Sequence, residues 1–499
     1  MSYPSAVSAV VPTPAQPVSA WVVAQLSSIV GGEHVLHDAG ALRTYASDAL
    51  ATFAVEPGVV VLPGSTEEVA EVVKTARQAN LPIVPRGSGT GLSGGALPVT
   101  GCVLVGLSRM KQILEVDLEN GWMRVQPGVI NLDVSKHLSP AGYYYAPDPS
   151  SQSVCSIGGN LAENSGGAHC LKYGFTVNHV LAARLVTYDG TVVDLGSAVP
   201  DTPGFDLLGV LVGSEGLVGI VTEVTLRILR KPEATRTFFA TFPSTTEAGN
   251  CVSEIIGSGI VPAAIEMMDR LAIEAAKAAT GVDWPDVGAA LLIDVDGTLA
   301  DAEHTSQKAL ELARQSGALE VRVPKDENER MLMWKGRKSA FAAVGRISPN
   351  YLVQDGVIPR TAIAEVLAEI TRLSLKDGLR VANVFHAGDG NLHPLVLFDA
   401  KVPGEEQRAE ALGGEILRLC LRHGGSITGE HGVGADKAPY MAEMFSEADL
   451  ETMGRVRCAF DPEQRFNPGK VFPTPRLCGD RPGVHRPHPA ELAGLAERV

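Results

Sequence analysis

Apolar and polar positions fall into a readable pattern from residue 58 onward. GVVVLP (58–63) is a short β-branched run and predicts a strand. Ser65 and Glu68 follow at the S-x-x-E spacing of a capping box. Val69, Val72, Val73 and Ala76 then recur on one face of a helix. LPIVP (81–85) is a second β-type run, so strand, amphipathic helix and strand form a βαβ unit. Further strands are expected in VLVGL (103–107), MRVQPGV (123–129), ARLVTYDG (183–190) and GIVTEVTLRIL (219–229), and an earlier helix near Ser19. From about 233 to 425 the texture changes. Helical segments (252–260, 270–280, 302–318, 362–378) alternate with short strands (290–297, 381–388, 393–398), as in a separate α+β domain. The expected division is a leader and helical segment over 1–54, a first domain over 55–232, a second over 233–425, a loop-rich segment over 426–475 and a tail over 476–499.

Composition narrows the class. Hydrophobic residues make up 45% and charged residues 20%, which fits a globular chain and excludes disorder or collagen throughout. The net charge of −15 argues against a nucleic-acid-binding role. Seven scattered cysteines lack the CxxC spacing of zinc ribbons or iron–sulfur clusters and read as reduced thiols. No Lys or Arg precedes Arg43, and no apolar run reaches the ~18 residues of a membrane span. A cytoplasmic location is expected, with any membrane association made through partner subunits. Glycine is the outlier, with 53 residues in 499, above the typical ~7%.

Three glycine-rich loops concentrate that excess. The first, Pro85–Gly95, contains a formal G-x-G-x-x-G at Gly89, Gly91 and Gly94. It runs toward another strand rather than opening a helix, which excludes a Rossmann dinucleotide fingerprint and favours a backbone nest for a pyrophosphate. The second spans 145–167 and the third 213–220. Three such loops in one region suit a long ligand better than a single phosphate.

Two further motifs carry chemistry. VANVF and PLVLF flank His386-Ala-Gly-Asp-Gly-Asn-Leu-His393, and a two-residue hairpin turn at Asp389-Gly390 sets His386 directly opposite His393 on one face. Downstream, Thr428-Gly-Glu-His-Gly-Val-Gly434 supplies Glu430 and His431. Two imidazoles and a carboxylate suit a divalent metal such as Zn²⁺ or Mn²⁺, leaving His431 as a base. Arg337, in WKGRK, is the candidate clamp for a substrate carboxylate. ALLIDVDGTLA (290–300) has a DxDGT pattern but reads as a strand ending in a turn.

PRGSGTGLSGGA, YAPDPSSQSVCSIGGNLAENSGG and GSEGLVGIVTEVT together resemble the FAD-binding domain of the vanillyl-alcohol oxidase / p-cresol methylhydroxylase flavoproteins. HAGDGNLHP, TGEHGVG and FNPGKVF resemble that family's C-terminal domain, within its branch acting on glycolate, D-lactate and related 2-hydroxy acids. The resemblance covers roughly 55–475. It implies an α+β fold with a two-subdomain FAD-binding domain and a C-terminal substrate (cap) domain, the 426–475 segment returning to the FAD site. The candidate cofactor contacts are Arg86, Gly87, Ser88, Gly89, Thr90, Gly91, Ser93 and Gly94 in the first loop. The second loop adds Pro149, Ser150, Gly158, Gly159, Asn164, Gly166 and Gly167. Glu215, Gly219, Ile220 and Asn467 complete the set. The chain has no His between 38 and 136, so FAD is expected to be non-covalent. The resemblance further implies His386, His393 and Glu430 as metal ligands, with the two His and Arg337 also meeting substrate and His431 acting as base. Relatives that act on dicarboxylates place a Lys shortly after the Arg337 motif. Tyr351-Leu-Val-Gln-Asp-Gly-Val-Ile358 has none, which favours a small monocarboxylate. The implied reaction is oxidation of glycolate to glyoxylate, electrons leaving through a second FAD-domain-like subunit and an iron–sulfur subunit. A stand-alone D-lactate dehydrogenase and a non-catalytic flavin subunit are the alternatives.

Overall fold

A computed structural model describes residues 17–50, 52–199, 204–281 and 284–473. The tail and nearly all of the leader expected from the sequence lie outside these residues. Ser19 caps the helix Ala20–Val30. The Ser65 hydroxyl accepts from the Glu68 amide at the head of helix Thr66–Gln78, while the Glu68 carboxylate reaches back to the Gly64 amide, 2.6 Å away. Val69, Val72, Val73 and Ala76 are fully buried, as their spacing predicts. Strands Val59–Val61 and Ile83–Arg86 both run parallel to Val103–Gly106, which lies between them, and Val35–Leu36 completes the four-stranded sheet. The glycine-rich loop after Ile83–Arg86 leads to strand Val103–Gly106 with no helix between, so a Rossmann site is absent there. A five-stranded antiparallel sheet follows, in the order Ile113–Asp117, Trp122–Val125, Ile220–Arg227, Val180–Val186, Val192–Gly196.

The second region is built on a larger antiparallel sheet. Its core order is Glu320–Arg322, Ala234–Phe242, Ala289–Gly297, Ala264–Asp269, Val381–His386. Alternate side chains of one strand enter two different cores. Phe238 packs with helices Thr245–Gly257, Leu299–Gln315 and Ile363–Asp377, whereas Phe239 faces helices Arg270–Thr280 and Glu327–Ala343. The helix Glu327–Ala343, which carries Trp334 and Arg337, is not among the helices expected from the sequence. Its buried face is made of Met333, Gly336, Arg337, Ala340 and Ala343, so small and charged residues hide the apolar period. Asp294 of the DxDGT pattern lies in the strand and accepts from Thr237, Arg330 and Trp334, an internal structural role. Cys102, Cys155, Cys170, Cys251 and Cys420 are free and buried. Cys458 is disulfide-bonded, which corrects the expectation of reduced thiols throughout: an odd count does not exclude one pair.

The chain then comes back to its first sheet. The Ile83 amide donates to the Arg465 carbonyl, and the Asn467 amide donates to the Ile83 carbonyl, both at 2.8 Å. Phe466 between them is fully buried against Val59, Val61, Val103 and Ile220. Phe466→Ala is expected to lower stability by about 3–5 kcal/mol, measured by chemical denaturation.

Candidate active site

The two histidines meet, but in a different register from the one expected. His386 pairs with Asn391, and the connection is the four-residue turn 387–390 rather than a two-residue turn. His393 is therefore diagonal to His386, two residues past its direct partner. Because strand side chains alternate with period two, a shift of two preserves the face. The imidazole centroids lie 5.2 Å apart. Asp389 accepts from the Asn391 amide, and Gly390 has φ +81°, with a Cβ there falling 2.2 Å from the Ile358 carbonyl oxygen.

Glu430 completes the cluster. Its Oε1 lies 3.3 Å from His386 Nε2 and 3.4 Å from His393 Nε2, yet both nitrogens and Glu430 Oε2 are buried without hydrogen-bond partners. Two imidazole nitrogens and a carboxylate that converge in this way form a group that could hold a metal ion. Burial alone would raise the Glu430 carboxyl, but the imidazoles of His386, His393 and His431 hold it down at about 2. His431 stacks on His393 at 4.9 Å. Burial pushes the His431 imidazole down to about 4, which leaves the ring neutral at neutral pH.

Three positions that sequence reasoning missed hold these groups. Glu266 accepts from His386 Nδ1 at 2.8 Å and pairs with Nη2 of Arg337. Arg337, expected to face a substrate carboxylate, is thus joined to Glu266, with its Nε buried and unpartnered. Asp355 is fully buried and accepts from the Thr428 hydroxyl at 2.6 Å, the amides of Gly429 and His431 at 3.0 Å and Lys437 Nζ at 3.0 Å. Those contacts converge on Oδ2 and shape the loop, while Oδ1 lies 3.4 Å from His393 Nε2, so Asp355, His393 and His431 form a second group able to hold a metal ion.

The glycine loops fit a phosphate-bearing cofactor. Among the described residues, the backbone N–H groups of 87–95 donate to no other group of the chain. Consecutive free amides are an anion nest. Four of the side chains expected to touch the cofactor also have partners within the chain. Arg86 donates to the carbonyls of Tyr45 and Ser47. Glu215 accepts from the amides of Val433 and Gly434 at 2.7 and 2.6 Å. Asn467 Nδ2 donates to the carbonyls of Gly95 and Glu215, and Asn164 accepts from the Val177 amide. Gly166 approaches Glu430, since a Cβ there would lie 2.7 Å from its Oε2. Gly167 packs on Asp148, Gly158 on Pro127, and Ile220 is buried in its strand.

Residues 57–196 match the model of an FAD binding domain, and residues 231–471 match that of the C-terminal domain of FAD linked oxidases. The chain belongs to the FAD-linked oxidases. It is 47% identical over 468 residues to glycolate oxidase subunit GlcD of Escherichia coli strain K12, covering 94% of each chain. It is 32% identical to a D-lactate dehydrogenase of Anaerostipes hadrus, covering 83% of this chain and 89% of the other. The fold is that of p-cresol methylhydroxylase, with a TM-score of 0.76 at 18% identity over 90% of this chain and 96% of that one. No helix among the described residues is long and apolar enough to cross a membrane.

Asp355→Asn removes the anion facing buried Lys437 and is expected to cost about 3–5 kcal/mol, read by denaturant unfolding. His169 pairs with Asp148 at 3.0 Å across the second loop. Burial works against the charge, but Asp148 outweighs it and holds His169 up at about 9. A raised pKa contributes stability that is complete below ~6.5 and lost as pH rises through about 9. His169→Asn is expected to flatten the decline of melting temperature across that window; an unchanged slope refutes the assignment.

Proposed function

We propose that the chain oxidises a short 2-hydroxy acid, with glycolate to glyoxylate as the leading reaction. The observation that carries this reading is the convergence of His386, His393 and Glu430 beside His431, in a chain similar along its length to a glycolate oxidase subunit. His386, His393 and Glu430 would hold a divalent cation, Zn²⁺ or Mn²⁺, through His386 Nε2, His393 Nε2 and the Glu430 carboxylate. Such an ion would supply a Lewis acid that lowers the pKa of the substrate hydroxyl. FAD, non-covalently bound against the amides of 87–95, supplies the acceptor for the α-hydrogen and its electron pair.

The chain's own work is positional and basic. His431 takes the hydroxyl proton on Nε2, the ring nitrogen on the Glu430 side, 3.9 Å from Glu430 Oε1. Its Nδ1 side faces Asp355, 4.0 Å away. Asp355, Ser93 and Glu215 keep the 428–434 loop in place through its backbone, so the base stays beside the metal ligands. The relative of this chain is named a subunit. We infer partner subunits here too, a second FAD-domain-like chain and an iron–sulfur chain that take the electrons onward and account for any membrane association of a cytoplasmic protein.

Anaerobic mixing of the FAD-loaded chain with glycolate or D-lactate tests the reading through flavin bleaching. Bleaching is expected with glycolate. A response to D-lactate alone selects the D-lactate dehydrogenase reading, and no response to either selects a non-catalytic flavin subunit. His431→Asn is expected to retain FAD while flavin reduction slows by about 10²–10⁴-fold; rapid reduction in that variant removes His431 from the role of base.

A further inference from the structure

Glu266 and Arg337 form a buried pair behind the proposed metal ligands. Glu266 lies on strand Ala264–Asp269, directly opposite His386 in the antiparallel register with strand Val381–His386. One carboxylate oxygen meets His386 Nδ1 at 2.8 Å, and the other meets the guanidinium of Arg337. Glu266, Arg337 and His386 are 1%, 4% and 4% exposed. The arrangement has a direction. A neutral imidazole that donates its Nδ1 proton to a carboxylate has only a lone pair on Nε2, and that lone pair faces Glu430. Without Glu266 the ring is free to adopt the other tautomer, which puts an N–H where the cation belongs.

Arg337 explains why this carboxylate does not disrupt the site. A lone anion buried at this depth is costly and competes with Glu430 for the cation. The guanidinium, one helix away on Glu327–Ala343, neutralises it and fixes which oxygen is left for His386. We propose that Glu266 and Arg337 are positioning residues of the metal site, acting as one unit that orients His386 and sets its tautomer for cation binding. This gives Arg337 a duty toward the protein that its sequence context did not suggest. The inference rests on the metal reading above.

The test measures binding of Zn²⁺ alone to the FAD-loaded chain by competition with a chromophoric chelator, with FAD absorbance as the check on folding. Glu266→Gln keeps the volume but cannot balance Arg337, and is expected to weaken Zn²⁺ binding by about 10–100-fold. Arg337→Met is expected to act in the same direction. The double variant Glu266→Gln/Arg337→Met removes both charges and so remains informative if a single variant fails to fold. It is expected to weaken Zn²⁺ no more than the worse single change, because the two residues act together. The absorption spectrum with Co²⁺ in place of Zn²⁺ is expected to change in Glu266→Gln, a shift that a remote structural effect does not produce. Unaltered Zn²⁺ affinity in Glu266→Gln and in the double variant overturns the proposal. So does an Arg337→Met chain that binds Zn²⁺ as the parent does while KM for glycolate rises, since that assigns Arg337 to the substrate carboxylate. A parent chain that takes up neither Zn²⁺ nor Mn²⁺ overturns the metal reading itself, and that control separates the two failures.

Discussion

One buried carboxylate sets the geometry of the site. Asp355 has no exposure to solvent and receives a hydroxyl, loop amides and an ammonium from the short stretch 428–437. Burial would raise its carboxyl, but Lys437, His431 and His393 outweigh that and hold it well below the usual carboxylate range. The stretch Thr428–His431 forms neither helix nor strand, so its amides have no regular partners and one anion takes their place. That substitution is why an irregular segment can hold Glu430 and His431 in fixed directions. Remove the charge and the loop loses its centre, while a buried lysine is left without an anion.

The same loop is fastened from its other side by the first region. Glu215 accepts from Val433 and Gly434, and the Ser93 hydroxyl donates to the His431 carbonyl. Ser93 belongs to the loop whose amides stand free, and Asn467 ties that loop to Glu215. The loop of free amides and His431 are therefore parts of one hydrogen-bonded assembly, although they are more than 300 residues apart in the chain. Space is limited where they meet. A Cβ at Gly432 would lie 2.0 Å from Glu163, and one at Gly429 would lie 2.5 Å from Asn391. Only glycine allows the segments to approach this closely.

What could be read from the sequence follows a physical rule. Elements with one apolar face were legible: the capped helix Thr66–Gln78 and the strand–helix alternation after 233 announce themselves through period and cap. The helix Glu327–Ala343 did not, because it buries glycine, alanine and a charged arginine. Within the site, His386, His393, Glu430 and His431 were visible because they sit in compact motifs. Glu266, Asp355 and Lys437 were not, since each is a single charged residue whose meaning comes from a partner brought in by the fold. A weak signal did exist. Glu266 interrupts the apolar run Ala263–Met268, and a charge in the middle of a buried strand needs an internal partner.

The hairpin shows why a wrong register still led to the right pair. A two-residue turn at Asp389-Gly390 and the observed turn 387–390 differ in which residues stand opposite, with Asn391 replacing His393 across from His386. Both alternatives keep His386 and His393 on one face, because the shift is even and the pleat repeats every two residues. An odd shift would have sent one imidazole to the far side of the sheet and dissolved the site. Glu266 occupies the position across from His386 on the other neighbouring strand. His386 is thus flanked by Asn391 on one side and Glu266 on the other, with its Nε2 left facing Glu430 and His393. Strand pairing on both sides, rather than the turn alone, is what aims His386 Nε2.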